Sequence, residues 1–253
     1  MEKMEASGFC RLARVYRLLE TLTFGETLQC ARVAYLSLLA DAEEILVLGE
    51  GDGRFLHALL TANPSCRVTI VDRSPAMLAF ARRRLVPVQQ DRVDFRLADA
   101  TRMNFPRKVF DVVVTHFFLD CFRGDTLSDL ISKIAASLRS GGRLLLADFV
   151  EPRGEGGGAR FRHFALRMLY AFFRSTCGIE GKQVVDPRGM LSSQGLRETD
   201  RNIFAGGWIV SSMWEKVFVP ESTAVRSQGP CGEIQKSLTP TCSKALQVAS
   251  FPR

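Results

Sequence analysis

The chain has 253 residues, 46% apolar and 24% charged, which is the balance of one folded domain with appendages. No apolar run approaches the roughly 20 residues of a membrane-spanning helix, and the charged N-terminus lacks the apolar core of a secretory leader, so neither is expected. The net charge of +7 comes largely from single arginines spread along the chain, with no nucleic-acid recognition module, and no specific nucleic-acid partner is expected.

Residues 1–42 read as an N-terminal helical cap. Leu12, Val15, Leu18, Leu19 and Leu22, then Leu28, Ala31, Ala34, Tyr35, Leu38 and Leu39, recur at helical spacing on either side of Gly25. From residue 43 strands and helices alternate. "EILVLGE" is an apolar run of strand length, and "GRFLHALLTANP" a helix that stops before Pro64. "CRVTIVD" is a second strand, and "SPAMLAFARRRL" a helix with Ser74 as its cap and Pro75 in its first turn. "RVDFRLAD" and "VFDVVVTHFF" are further strands. "LSDLISKIAASLRS" is a helix ended by Gly141 and Gly142, and "RLLLADFV" is a fifth strand. Residues 150–195 form an insertion or helical lid containing the aromatic helix "RFRHFALRMLYAFF". "GLRETDRNIF" and "WIVSSMWEKVFV" then make an antiparallel hairpin that completes a main domain over 43–218. Residues 219–253, rich in Ser, Thr, Pro and Gly, read as a disordered tail. The fold class is α/β: a Rossmann-like, mostly parallel seven-stranded sheet with a terminal antiparallel hairpin and helices on both faces.

Such a sheet offers its ligand crevice beyond the carboxyl ends of the strands. There the first strand runs into "GEGDG", with Gly49, Gly51 and Gly53 at alternate positions and Glu50 and Asp52 between them. Asp72 ends the second strand, where a carboxylate can accept from both hydroxyls of a ribose, and Arg73 follows it. Asp99, in "LADAT", ends the third strand, where it can meet an adenine edge. The turn departs from the dinucleotide pattern G-x-G-x-x-G, and its two carboxylates do not suit a pyrophosphate. No G-K-[ST] follows, which excludes a P-loop. A phosphate-free nucleoside carrying an ammonium and a sulfonium group fits, and S-adenosylmethionine is that ligand. The seven cysteines are odd in number, scattered and never spaced C-x-x-C. That pattern predicts reduced thiols in the cytoplasm, with neither a disulfide framework nor a metal site.

On "EILVLGEGDGRFL", "VDRSPAMLAFARRRL", "FRLADAT", "FDVVVTHFFLDCF" and "LRSGGRLLLADF", the chain resembles the class I S-adenosylmethionine-dependent methyltransferases over roughly residues 45 to 215. Within them it is similar to the small-molecule enzymes related to the ubiquinone/menaquinone C-methyltransferases. The resemblance implies that Gly49, Gly51 and Gly53 approach the methionine part, that Asp72 holds the ribose, and that Asp99 with Ala100 flanks the adenine. It also implies that Thr115 and His116 line the reactive end. The family usually carries an acid two positions before the first glycine, where this chain has Val47. Glu50 or Asp52 then takes over the ammonium group.

Methyl transfer needs alignment above all, and a base only when the acceptor must lose a proton. His116 is a candidate base or a packing group; Asp120 acts likewise or caps the next segment. Tyr16 either closes over the site or is an ordinary helix residue. "THFF" after the fourth strand is not the N-P-P-[YFW] motif common among enzymes of amide-like nitrogens. A small, partly apolar methyl acceptor is therefore expected, against the alternatives of an RNA or protein methyltransferase or a non-catalytic cofactor-binding protein.

Overall fold

The computed structural model of the chain describes residues 26–150 and 185–217. The expected first helix of the cap with Tyr16, the aromatic helix of the insertion and the tail from 219 lie outside the described residues.

Seven strands form one sheet: β1 (Glu44–Leu48), β2 (Arg67–Asp72), β3 (Val93–Leu97), β4 (Phe110–His116), β5 (Leu138–Phe149), β6 (Leu196–Phe204) and β7 (Ile209–Lys216). Their order is β3-β2-β1-β4-β5-β7-β6. The first five pair in parallel, and β7 runs antiparallel between β5 and β6. The chain folds outward in one direction from β1 to β3 and in the other from β4 onward, so the crevice opens between the carboxyl ends of β1 and β4.

The helices are α1 (Thr27–Val33), α2 (Arg54–Ala62), α3 (Pro75–Arg84), α4 (Pro87–Gln90), α5 (Gly124–Ser137) and α6 (Arg188–Ser193). Alternation along β1 shows how the two faces are built. Leu46 and Leu48 join a core with Leu127, Leu130, Ile131 and Ile134 of α5, whereas Ile45 and Val47 join Phe55, Leu56, Leu59 and Leu60 of α2 on the other face. A central strand buried on both faces must be apolar at successive positions, as this one is. A third cluster puts Leu28 and Ala31 of α1 against Phe149, Trp208 and Ile209. Ser74 caps α3 by accepting from the Met77 amide at 3.3 Å, with Pro75 in the first turn as the sequence predicts.

Three boundaries differ from those read in the sequence. The helix expected over residues 28–39 ends at Val33 and is followed by a 3-10 turn, Leu36–Leu39. Helix α5 begins at Gly124 and stops at Ser137, and β5 starts at once with Leu138. Gly141 and Gly142 do not stop a helix. Gly141 has φ +74, and a Cβ on Gly142 would lie 2.9 Å from the Arg139 carbonyl, so the pair forms a bend inside β5. The register against β4 shifts between Phe110 and Val112 beside it.

Candidate functional site

The three glycines of the turn serve different contacts. All have positive φ (+69, +73 and +82), and a Cβ on Gly49 would lie 2.5 Å from the Phe118 ring, while one on Gly53 would lie 2.6 Å from the Ala81 Cα of α3. Gly51 alone has nothing within 4 Å, so it is the one that opens onto free space. Gly53 also begins α2 as its cap residue and offers no side chain to the first amides. Glu50 supplies the missing acceptor, taking the Leu56 amide at 2.8 Å.

The two acids in the gaps differ sharply. Asp52 is engaged with Arg54 at 3.3 Å and Arg84 at 3.1 Å, which ties the turn to the end of α3. Glu50 is buried, and burial pushes its carboxyl up to about 8, although the Leu56 amide and the Arg32 charge favour ionisation. Val47 lies in the core against α2 and offers no polar group to the crevice.

At the end of β2, Asp72 accepts from the Ser74 amide at 2.8 Å. Burial raises its pKa, opposed by the amides of Ser74 and Gly51 and by Arg73, so its carboxyl links the strand end to the open glycine. Arg73 itself is exposed. Asp99 closes its own turn, accepting from the Thr101 hydroxyl at 2.7 Å and amide at 3.0 Å, and these bonds, the hydroxyl first, hold its pKa low. Ala100 is buried beside it in the core with Leu48 and Val71.

At the end of β4, Thr115 is fully buried and its hydroxyl donates to the Leu145 carbonyl at 3.4 Å. His116 stands edge-on to Phe55, with ring centroids 4.6 Å apart, and its Nδ1 has no hydrogen-bond partner. Burial, reinforced by the Arg32 charge, pushes it down to about 3, so the imidazole is neutral at physiological pH and a weak proton acceptor. Asp120, on the 3-10 turn Leu119–Cys121, is also buried. His57 lies on α2, 3.3 Å from Gln89, away from the glycine turn.

Three residues that the sequence reading passed over belong to this region. Asp148, next to the last residue of β5, is buried and accepts from the Phe118 amide at 3.2 Å. Burial raises its pKa well above the carboxylate range, and the neighbouring Asp120 raises it further. Phe118 covers Gly49, and Arg32 of α1 places its guanidinium 5.1 Å above the Phe117 ring. A lone acid inside the apolar run "LLLADF" was the available signal for Asp148. A shallow concavity of about 660 Å³ between α6 and the hairpin, lined by Asp186, Arg188, Leu196, Glu198 and Trp214, adjoins the amino-terminal part of β5 and contains none of these groups.

An open, mostly parallel sheet, with buried acids and a glycine turn gathered at its reversal point, defines an α/β protein with a ligand crevice there. A family model described as a methyltransferase domain matches residues 45–142. The chain is 32% identical over 163 residues to the demethylmenaquinone methyltransferase of Thermus thermophilus, covering 64% of this chain and 73% of that protein. It is 29% identical over 145 residues to the ubiquinone/menaquinone biosynthesis C-methyltransferase of Paracoccus denitrificans, spanning 56% of this chain and 57% of that one. The fold matches the 1,6-didemethyltoxoflavin-N1-methyltransferase of Burkholderia thailandensis, with a TM-score of 0.57 at 18% identity, covering 84% of this chain and 87% of that one. The chain belongs to the class I S-adenosylmethionine-dependent methyltransferases. The buried acid Glu50 and the open space at Gly51 fit that cofactor's cationic, phosphate-free methionine end.

Proposed function

We propose that the protein transfers a methyl group from S-adenosylmethionine to a small, partly apolar acceptor by direct displacement. The observation that carries this reading is the glycine turn itself. Of its three glycines only Gly51 faces open space, and Glu50, the buried one of its two acids and the one not ion-paired to an arginine, stands next to it. When bound, the cofactor supplies a methyl group already activated by its sulfonium, so the chain's residues have to bind, orient and exclude water.

In this reading Glu50 takes the ammonium group, since Asp52 is held by Arg54 and Arg84. Arg32 brings positive charge to the same end, complementary to the α-carboxylate. Asp72 meets the ribose hydroxyls with its remaining oxygen, and Asp99 with Ala100 borders the adenine. His116, neutral and with a free Nδ1, serves as a hydrogen-bonding wall rather than as a base that titrates near neutrality. Phe55, Phe117, Phe118 and Phe122 give the region beyond β4 an apolar character suited to such an acceptor. The names of the quinone and toxoflavin enzymes above support an acceptor of that size. No helix among the described residues is long and apolar enough to cross a membrane. The free thiols Cys30 and Cys66 support a cytoplasmic setting.

Calorimetry with S-adenosylhomocysteine tests the shared premise, and absence of binding at millimolar ligand would sink it. An extract incubated with methyl-labelled cofactor then tests the acceptor class. Label should enter the small-molecule fraction; label confined to RNA or protein would replace this reading with a macromolecular one.

A further inference from the structure

We propose that Asp148 is a positioning residue for cofactor binding, whose carboxyl holds the loop after β4 so that the Phe118 ring stays seated on Gly49. The inference rests on the cofactor-binding reading above and adds a residue at the far side of the crevice to it.

The loop from Phe117 to Phe122 leaves β4 at the carboxyl end of the sheet, and its first residue is strained. Phe117 has φ +54, a left-handed conformation that is unfavourable for a non-glycine residue and persists only where its surroundings impose it. Two side chains of β5 impose it here. Phe149 packs on the Phe117 ring at 5.1 Å, and Asp148 Oδ1 accepts the Phe118 amide at 3.2 Å. The Phe117 amide itself donates to the Ala147 carbonyl at 2.6 Å, so β5 holds the first two amides of the loop, one through its backbone and one through Asp148. The loop thus fixed presses Phe118 against the Gly49 backbone, closely enough that a Cβ there would be 2.5 Å from the ring. Asp148, the loop, Phe118 and the glycine turn therefore form one mechanical chain across β5, β4 and β1. An acid in the buried stretch 144–149 of β5, whose other residues are apolar, is costly, and Asp120 beside it raises that cost. A purely space-filling role would be served by an apolar residue.

The test is a double-mutant cycle read by S-adenosylhomocysteine calorimetry on the full chain, with unfolding of each variant followed without ligand. Asp148→Ala and Phe118→Ala should each raise Kd about tenfold, and the double variant should be no weaker than about tenfold, because both changes release the same contact. Asp148→Asn should stay within about threefold of the unsubstituted protein, since its carbonyl oxygen still accepts the amides. If Asp148→Ala does not fold, Asp148→Ser takes its place, as its shorter hydroxyl withdraws the acceptor. Effects that multiply to about a hundredfold in the double variant would overturn the proposal. So would an unchanged Kd in the Ala or Ser variant, or an Asn variant as weak as either. Failure of the unsubstituted protein to bind is a separate result, and it overturns the cofactor reading itself.

Discussion

Glu50 and Asp52 sit two positions apart on one turn and face opposite electrostatic situations. Asp52 is neutralised by two arginines, whereas Glu50 is buried with its carboxyl pushed up to about 8. To meet an ammonium group Glu50 must ionise, so cofactor binding should release a proton below that pH. S-adenosylhomocysteine affinity should climb by up to about tenfold per pH unit from about pH 6 toward about pH 8. A flat profile in the unsubstituted protein, or an unchanged climb in Glu50→Gln, would remove Glu50 from the site. The sign for folding is opposite: the folded protein binds the proton more tightly, so the ligand-free protein loses stability as pH rises from 4.5 toward about 8. The glycines allow a second contrast. Gly53→Ala meets the Ala81 backbone at 2.6 Å and should cost about 2–4 kcal/mol in urea unfolding. Gly51→Ala meets nothing and should cost only about 1–2 kcal/mol of left-handed strain while abolishing measurable cofactor binding. The sequence marked this turn as a candidate ligand site, because alternating glycines with carboxylates are chemically conspicuous. It did not show which glycine faces open space, since that depends on Phe118 and Ala81, distant in the chain.

At the scale of elements, Asn63 shows how the crevice is held from below. It is fully buried at the end of α2, its amide donates to the Leu39 and Ala42 carbonyls at 2.8 Å each, and its oxygen accepts from the Ser65 and Cys66 amides. One side chain thus joins the turn before β1, the end of α2 and the start of β2. Asn63→Ala would strand two carbonyls and two amides and should cost about 2–4 kcal/mol, lowering Tm by roughly 5–12 °C. A change under about 1 kcal/mol would show that water replaces these bonds. The sequence shows only that this helix stops before Pro64, the partners of Asn63 being invisible to local pattern. The parallel strands were legible because burial on both faces forces continuous apolar runs, and α3 was legible because Ser74 and Pro75 announce it. The boundary between α5 and β5 was not. Two adjacent glycines look alike whether they end a helix or bend a strand, and only pairing with β4 decides between them.

Among the described residues the buried carboxylates divide by position, while the more exposed Asp99, beyond β3, is lowered by the Thr101 hydroxyl of its own turn. Glu50, Asp72 and Asp148, at the carboxyl ends of β1, β2 and β5, are raised by burial. At the other end, Asp41 is lowered by Arg143, and Asp111 is lowered despite its burial by the amides of Glu44 and Glu43 and by Arg139. The buried acids are thus electrostatically settled at the base of the sheet and unsettled at the crevice. Asp111 joins β1, β4 and β5, and an acid held below its ordinary value contributes stability that is lost as pH falls through that range. Asp111→Asn should cost about 1–3 kcal/mol near neutrality and flatten the acid limb of the stability profile. An acid limb unchanged by the substitution would show that other groups set it. The sheet's two outer strands carry a different consequence. β6 presents Arg197, Asp200 and Asn202 to solvent beside the single apolar Ile203 and shifts register between Glu198 and Asp200, while β3 exposes Asp94 and Arg96 beside the single apolar Leu97. Among the described residues, charged side chains interrupt both margins, so neither is the continuous flat apolar rail on which a strand from another molecule would dock. At high concentration the protein should therefore stay dispersed, with no growth of the sheet from one molecule into the next.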